Sequence, residues 1–117
     1  MDQEHFQLRT AIDQVINKLN FATASLHRAK HDQLIFPPFM KKEQGHLNSA
    51  GLDIQQAQRK FDHLLQQFKT IIEPQSTLKK NILEIREMFQ LLHNPQISDA
   101  GMIDRIIRLL RVFKDNC

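Results

Sequence analysis

The sequence has no tryptophan and no tyrosine, and only one cysteine, three glycines and four prolines among its 117 residues. So little glycine and proline excludes a collagen-like repeat and a flexible low-complexity chain. The single cysteine, Cys117, cannot form an intramolecular disulfide, which excludes a disulfide-stabilised miniprotein. All eight aromatic residues are phenylalanines, so the aromatic side chains supply apolar packing surface without a hydrogen-bonding group.

The sequence also has no strong excess of one charge, since its 16 basic and 13 acidic residues give a net charge of +3. This excess is too small to indicate nucleic-acid binding by itself. No stretch approaches the roughly 18 apolar residues that span a bilayer, so no membrane insertion is expected. The polar start Met1–Glu4 is unlike a secretory signal. Together with the lone cysteine, it predicts a cytoplasmic, reducing location.

A regular hydrophobic pattern runs along the first third of the chain. The period of about 3.5 residues is typical of a helix with coiled-coil-like packing. It predicts a helix over residues 2–34, with Asp2 as N-cap and Pro37 and Pro38 beyond its end. Weak helix formers around Asn20 leave a bend as the alternative to a straight helix. The apolar positions are Leu8, Ile12, Val15, Leu19, Ala22, Leu26 and Ala29.

Three further stripes of the same kind predict helices over residues 47–73, 76–93 and 98–115, with Ser76 and Ser98 as caps. No alternating pattern of β-branched residues indicates a strand. Short connections between consecutive helices favour antiparallel neighbours. The predicted fold is therefore all-α: an antiparallel four-helix bundle with a long coiled-coil-like hairpin, forming a single domain over residues 1–117.

Some large apolar residues lie outside these stripes. At 100° per residue, Phe6 and Phe21 point away from the first stripe, and Leu83 and Leu91 away from the third. The first helix is also much longer than the last two. Both observations favour a protein partner or a homo-oligomer that covers the surplus surface, and a compact monomer is the alternative.

The connection after the first helix is unusually apolar for a loop. Residues 34–40 carry five large apolar side chains around Pro37-Pro38, which favours a pre-ordered extended backbone. Two roles are predicted for this segment. Phe36 and Phe39 plug the open end of the bundle, which is the favoured interpretation, or they form a recognition element for a grooved partner.

No arrangement of residues indicates catalysis. His27 and His31 lie four apart on one helix, but the chain has no CxxC or HExxH motif and only a terminal cysteine, so no metal site is predicted. The three glycines form no phosphate-binding loop, and no nucleophile stands beside a histidine in sequence. The protein is therefore predicted not to be an enzyme, and no cofactor is expected.

The last helix carries a basic residue at every third position, in a slanting ridge beside its apolar face; these residues, the basic ridge, are Arg105, Arg108, Arg111 and Lys114. The leading hypothesis is a non-enzymatic protein–protein interaction module: an adaptor, small complex subunit or chaperone that packs amphipathic helices against a protein partner. The ridge would then orient an acidic partner. The alternative hypothesis is a nucleic-acid-binding helical domain that uses this ridge.

Overall fold

The structure is a computed structural model that describes residues 3–117. Over this range the chain forms five α-helices and no strand, so the predicted all-α class is confirmed. The predicted N-cap, Asp2, lies outside the described residues. The helices are α1 (Gln3–Ile35), α2 (Gln44–Gln67), α3 (Lys69–Ile72), α4 (Ser76–Gln90) and α5 (Ala100–Asp115).

Helix α1 is continuous over 33 residues and passes through Asn20, so it is not broken there. Every apolar position of the predicted stripe, from Leu8 to Ala29, is buried. A helix of this length extends for about 50 Å, and the longest dimension of the molecule is 54 Å. One helix therefore sets the length of the whole protein.

The predicted second helix differs from the structure at its start and is interrupted near its end. It starts at Gln44 rather than residue 47, and Phe68 interrupts it with φ −109° and ψ 26° before the single turn of α3. The Phe68 amide still donates to the Leu64 carbonyl at 3.0 Å, and the Phe68 side chain stays buried. Buried positions therefore continue at helical spacing across the interruption, because the packed Phe68 side chain fixes the position of the backbone.

The last two helices are shorter than predicted. Helix α4 ends at Gln90 rather than residue 93, and α5 begins at Ala100 after a 3-10 turn over Ile97–Asp99. Ser98 is not the cap, since the Gln96 amide donates to the Asp99 carboxylate at 2.8 Å in a capping box. Ser76 is the first residue of α4 rather than its cap, which is Gln75.

The helices form a ring in which each long helix has two neighbours. Helices α1 and α2 pair along their lengths as a hairpin, α5 packs against α1, and α4 packs against both α5 and α2. Because α4 and α5 are about half as long as α1, they cover only part of the hairpin. The radius of gyration is 15.9 Å, whereas a compact chain of this length would have about 13 Å.

Three phenylalanines join the helices at the centre of the bundle. The ring centroid of Phe61 in α2 lies 6.1 Å from that of Phe89 in α4 and 6.2 Å from that of Phe113 in α5. The Phe61–Phe113 pair has an interplanar angle of 70°, close to the edge-to-face arrangement that aromatic rings favour. All three side chains are buried, so this cluster ties α4 and α5 to the hairpin.

The hairpin continues past the bundle as a two-helix arm. No residue between Ala29 and Ala50 is buried, and we call this segment, residues 30–49, the distal arm. The small side chains of Ala22, Ser25 and Ala29 on α1 and of Ala50 and Ala57 on α2 are buried. Across the arm, the His46 Nε2 lies 3.1 Å from the Asp32 carboxylate.

At the opposite end, polar contacts join α5 to the start of α1. The Lys114 ammonium donates to the Asp13 carboxylate at 2.8 Å, and the His5 Nδ1 lies 2.9 Å from the Cys117 carbonyl oxygen. These contacts bring together residues more than 100 positions apart in sequence. The helix ends meet here because α5 runs antiparallel to α1.

Replacement of Phe61 by alanine tests the central cluster. Loss of a buried ring that contacts two other rings should lower the free energy of unfolding by about 3–5 kcal/mol, measured by urea titration. The matched control is Phe21→Ala on the exposed face of α1, which should change it by less than about 0.5 kcal/mol. Equal losses in the two variants would contradict the central role of Phe61.

Gly51 offers a stabilising substitution inside α2. A Cβ atom at this position would meet the Pro95 ring at 3.5 Å, an ordinary contact distance. Gly51→Ala should therefore raise the free energy of unfolding by about 0.5–1 kcal/mol, through helix propensity. Gly101→Ala, in the first turn of α5 with no neighbour within 4 Å, is the comparison and should gain less. A less stable Gly51→Ala variant would show that the alanine Cβ approaches the Pro95 ring more closely than 3.5 Å.

Candidate partner-binding surfaces

The four off-stripe residues are exposed, as their helical angles predicted. Phe6 and Phe21 project from α1, and Leu83 and Leu91 from the region of α4 and its C-cap. Helices α1 and α4 lie diagonally in the ring, so the structure does not bring the two pairs into one patch. Their role as partner contacts stays a prediction, and it now concerns two separate surfaces.

Phe6 stands beside an open groove between α1 and α2. The groove has a volume of about 340 Å³, and Phe6 itself is 65% exposed at its wall. Its apolar lining comes from Ala11 and Phe68, and its polar lining from side chains that can donate and accept hydrogen bonds. These polar residues are Gln7, Thr10, Gln14 and Gln67.

A second depression of about 250 Å³ adjoins this groove and shares Ala11, Gln14 and Gln67 with it. Its far end is lined by Arg59, Lys60 and His63 on α2. The combined surface, which we call the α1/α2 groove, is thus concave and partly apolar, rimmed by amides and basic at one end. These features fit a segment of an acidic protein.

Phe21 lies further along the same side of α1. It is 15 residues, or about 22 Å along the axis, from Phe6. The two side chains are separated by about 60° around the helix, and both are exposed. One helical partner segment of about 15 residues could therefore contact both.

The apolar connection forms the end of the distal arm. Leu34 is 77% exposed and Phe39 83%, and Ile35 and Met40 are exposed as well. The favoured interpretation that Phe39 plugs the bundle is therefore wrong, because the hairpin carries this segment away from the bundle end. Phe36 is half-buried, and the Lys42 ammonium lies 5.7 Å from its ring centroid. We call residues Leu34–Met40 the arm tip.

The basic ridge is only partly available for binding. Arg105, Arg108 and Arg111 are exposed, with no ion pair to any residue in 3–117, whereas Lys114 is half-buried against Asp13. Successive members, three residues apart, are rotated by about 60° around the helix. Asp104 shares a surface depression with Arg108 and Arg111 and offsets part of their charge.

The described residues do not assemble a metal centre. No three metal-ligating side chains cluster within residues 3–117, and His27 and His31 are exposed on α1. Nor is any helix in that range long and apolar enough to cross a membrane. The Cys117 thiol donates to the Phe113 carbonyl at 3.1 Å. Burial raises the pKa of this thiol, and the charge of Arg9 opposes the increase.

Two features of these surfaces were not predicted from the sequence. The α1/α2 groove is built by residues about 55 positions apart, and only the pairing of the helices brings Ala11 next to Phe68. The Asp32–His46 contact likewise depends on the register of the hairpin. The one sequence signal for the groove was the small residue Ala11 beside the stripe, which leaves space against a neighbouring helix.

The raised pKa of Cys117 predicts slow alkylation of the folded protein. A thiol that titrates above its ordinary value holds less thiolate at about pH 8, and the thiolate is the reactive form. Iodoacetamide should therefore label Cys117 several-fold more slowly in the native protein than in about 6 M guanidinium, as followed by mass spectrometry. The difference should shrink as the pH rises towards the native pKa. Equal rates at about pH 8 would contradict the burial of this thiol.

Comparison with known proteins identifies no relative of this chain. No protein-family model matches the chain, and neither a curated protein nor a solved structure matches it. The surfaces described above are therefore the basis for assigning a function.

Proposed function

We propose that the protein is a non-enzymatic protein–protein interaction module whose α1/α2 groove receives an amphipathic helix of an acidic partner. The observation that carries this proposal is the exposed Phe6 ring at the wall of an open groove with an amide rim. Such a module would act as an adaptor, small complex subunit or chaperone. The cytoplasmic location predicted from the sequence is part of the same proposal.

The chemistry of the groove supports a helical partner. An amphipathic helix places apolar anchors at every third or fourth residue, and Phe6 and Ala11 offer apolar surface for one such anchor. Burial of the Phe6 ring would contribute about 1.5–3 kcal/mol. Gln14 and Gln67 can satisfy polar groups at the edge of the partner helix.

The charges around the groove support an acidic partner. Arg59 and Lys60 are exposed at its far end, on the α2 side. Complementary charge raises the association rate and sets the direction in which a partner helix lies. A helix with acidic residues near one end and apolar residues along one face would match this distribution.

Nucleic-acid binding by the basic ridge remains the second proposal. The exposed guanidinium groups of Arg105, Arg108 and Arg111 support it, while the Lys114–Asp13 pair and the neighbouring Asp104 weigh against it. Salt-sensitive binding of duplex DNA that is lost on Arg105→Ala and Arg108→Ala would favour this function. A protein that binds no DNA at low salt would exclude it.

Site-specific photo-crosslinking tests the groove. With p-benzoyl-phenylalanine in place of Phe6, ultraviolet irradiation in cells should crosslink a discrete acidic protein, because this side chain lies at the proposed contact. The matched control carries the same crosslinker in place of Val112, which is exposed on α5 and away from the groove. With the captured partner purified, Phe6→Ser should weaken binding by at least about tenfold.

The control position decides how the crosslinks are interpreted. Identical products from both positions would show non-specific contact and contradict a groove site. Capture of a second copy of the chain at position 6 would instead assign the groove to a homo-oligomer, which analytical ultracentrifugation would then show as a dimer.

A further inference from the structure

We propose that the arm tip docks onto anionic lipid surfaces, with Leu34, Ile35, Phe39 and Met40 entering the head-group layer. This function is separate from the α1/α2 groove and does not rest on it. Docking of this kind places side chains about 5–10 Å deep in the interface and needs no helix that spans the bilayer. It would hold the bundle, and any partner in its groove, against a membrane.

The shape and chemistry of the tip favour lipid over a protein groove. The tip is the convex end of a two-helix arm, and residues 30–49 include no buried position. None of its seven side chains, Leu34 to Met40, can donate or accept a conventional hydrogen bond. Protein interfaces normally include about one hydrogen bond per 100–200 Å², whereas an acyl-chain boundary demands none. The α1/α2 groove, by contrast, is concave and rimmed by amides.

Most backbone amides of the tip are either hydrogen-bonded within the chain or replaced by proline. The Phe36 amide donates to the Asp32 carbonyl in the last turn of α1 at 2.9 Å. The amides of Met40 and Lys41 donate to the carbonyls of Pro37 and Pro38 at 3.0 and 3.3 Å, and the two prolines carry no amide hydrogen. An unpaired amide is costly to desolvate. Because most donors here are satisfied internally or absent, the tip can enter the interface with little polar penalty.

Charge around the tip matches an anionic surface. In the distal arm, residues 30–49, the three exposed cations Lys30, Lys41 and Lys42 outnumber the two acids Asp32 and Glu43, so the arm has a net charge of +1. The Asp32 carboxylate is engaged by His46 at 3.1 Å. Lys41 and Lys42 directly follow Met40, at the level where head groups would lie.

The geometry of the arm keeps the cations and the apolar side chains together at one end of a molecule 54 Å long. Four of the exposed large apolar residues in the described chain belong to the seven-residue arm tip. The others are spread over α1, α2, α4 with its C-cap, and α5. Each cation near an anionic membrane raises affinity by roughly fivefold. The apolar and electrostatic contributions therefore act at the same place.

Vesicle co-flotation tests the proposal with the full chain. The probes are vesicles of phosphatidylcholine alone and vesicles with about 30 mol % phosphatidylserine, at about 0.1 M salt. The protein should float with the anionic vesicles and remain at the bottom with the neutral ones. Binding should weaken as salt is raised, because screening reduces the attraction of the cations.

Paired variants separate the tip from general surface effects. Lys41→Glu with Lys42→Glu should lower binding to anionic vesicles by at least about tenfold, and the matched pair Lys79→Glu with Lys80→Glu on α4 should leave it within about twofold. Leu34→Ser with Phe39→Ser should lower it similarly, with Leu83→Ser and Leu91→Ser as the apolar control. All these positions are exposed, and urea titration would verify that each variant folds.

Three results would overturn the lipid proposal: no flotation with anionic vesicles, equal flotation with neutral ones, or equal losses in the tip variants and their α4 controls. If the same photo-crosslinker in place of Phe39 captures a protein while no vesicle binds, the tip is a protein contact instead. Crosslinking at Phe6 reports the groove independently, so failure of one proposal is distinguishable from failure of the other.

Discussion

The packing of α1 against α2 is the most extensive helix–helix contact in the structure and sets the positions of α4, α5 and the distal arm. Both helices bury a stripe along the shared face, and α5 and α4 complete the core at one end of the pair. Because α1 has 33 residues and α5 only 16, the pair must extend beyond the bundle. The Phe61 cluster closes the bundle, while small residues such as Ala29 and Ala50 carry the pairing towards the arm.

This difference in helix length separates two kinds of apolar surface. Inside the bundle, apolar side chains are covered by α4 and α5, and the α1/α2 groove remains on the outer side with polar residues around it. On the distal arm nothing covers Leu34 or Phe39, and cations follow directly. A concave surface with hydrogen-bonding groups selects a shaped partner, whereas a convex apolar end with positive charge suits a deformable anionic layer.

The exposure of candidate residues was partly predictable. Helical angles alone place Phe6 and Phe21 opposite the stripe, and the structure finds both exposed, because a continuous helix preserves the angle over its whole length. Phe39 was not predictable in this way, since its position depends on how far the hairpin extends past the bundle. Lys114 was predicted as part of the basic ridge, yet it binds Asp13, which the fold brings close from 101 positions away.

The 3.5-residue period and the prolines act locally, so the sequence alone was enough to predict helices with these buried faces, and no strand, for residues 3–117. It also determined that residues 34–40 are apolar and followed by lysines. Which of these features lie together at the surface depends on how the helices pack. The groove, the Asp32–His46 contact and the free arm tip depend on which helices pair, in which register and over what length. Those properties arise from packing between distant residues, and a local pattern does not contain them.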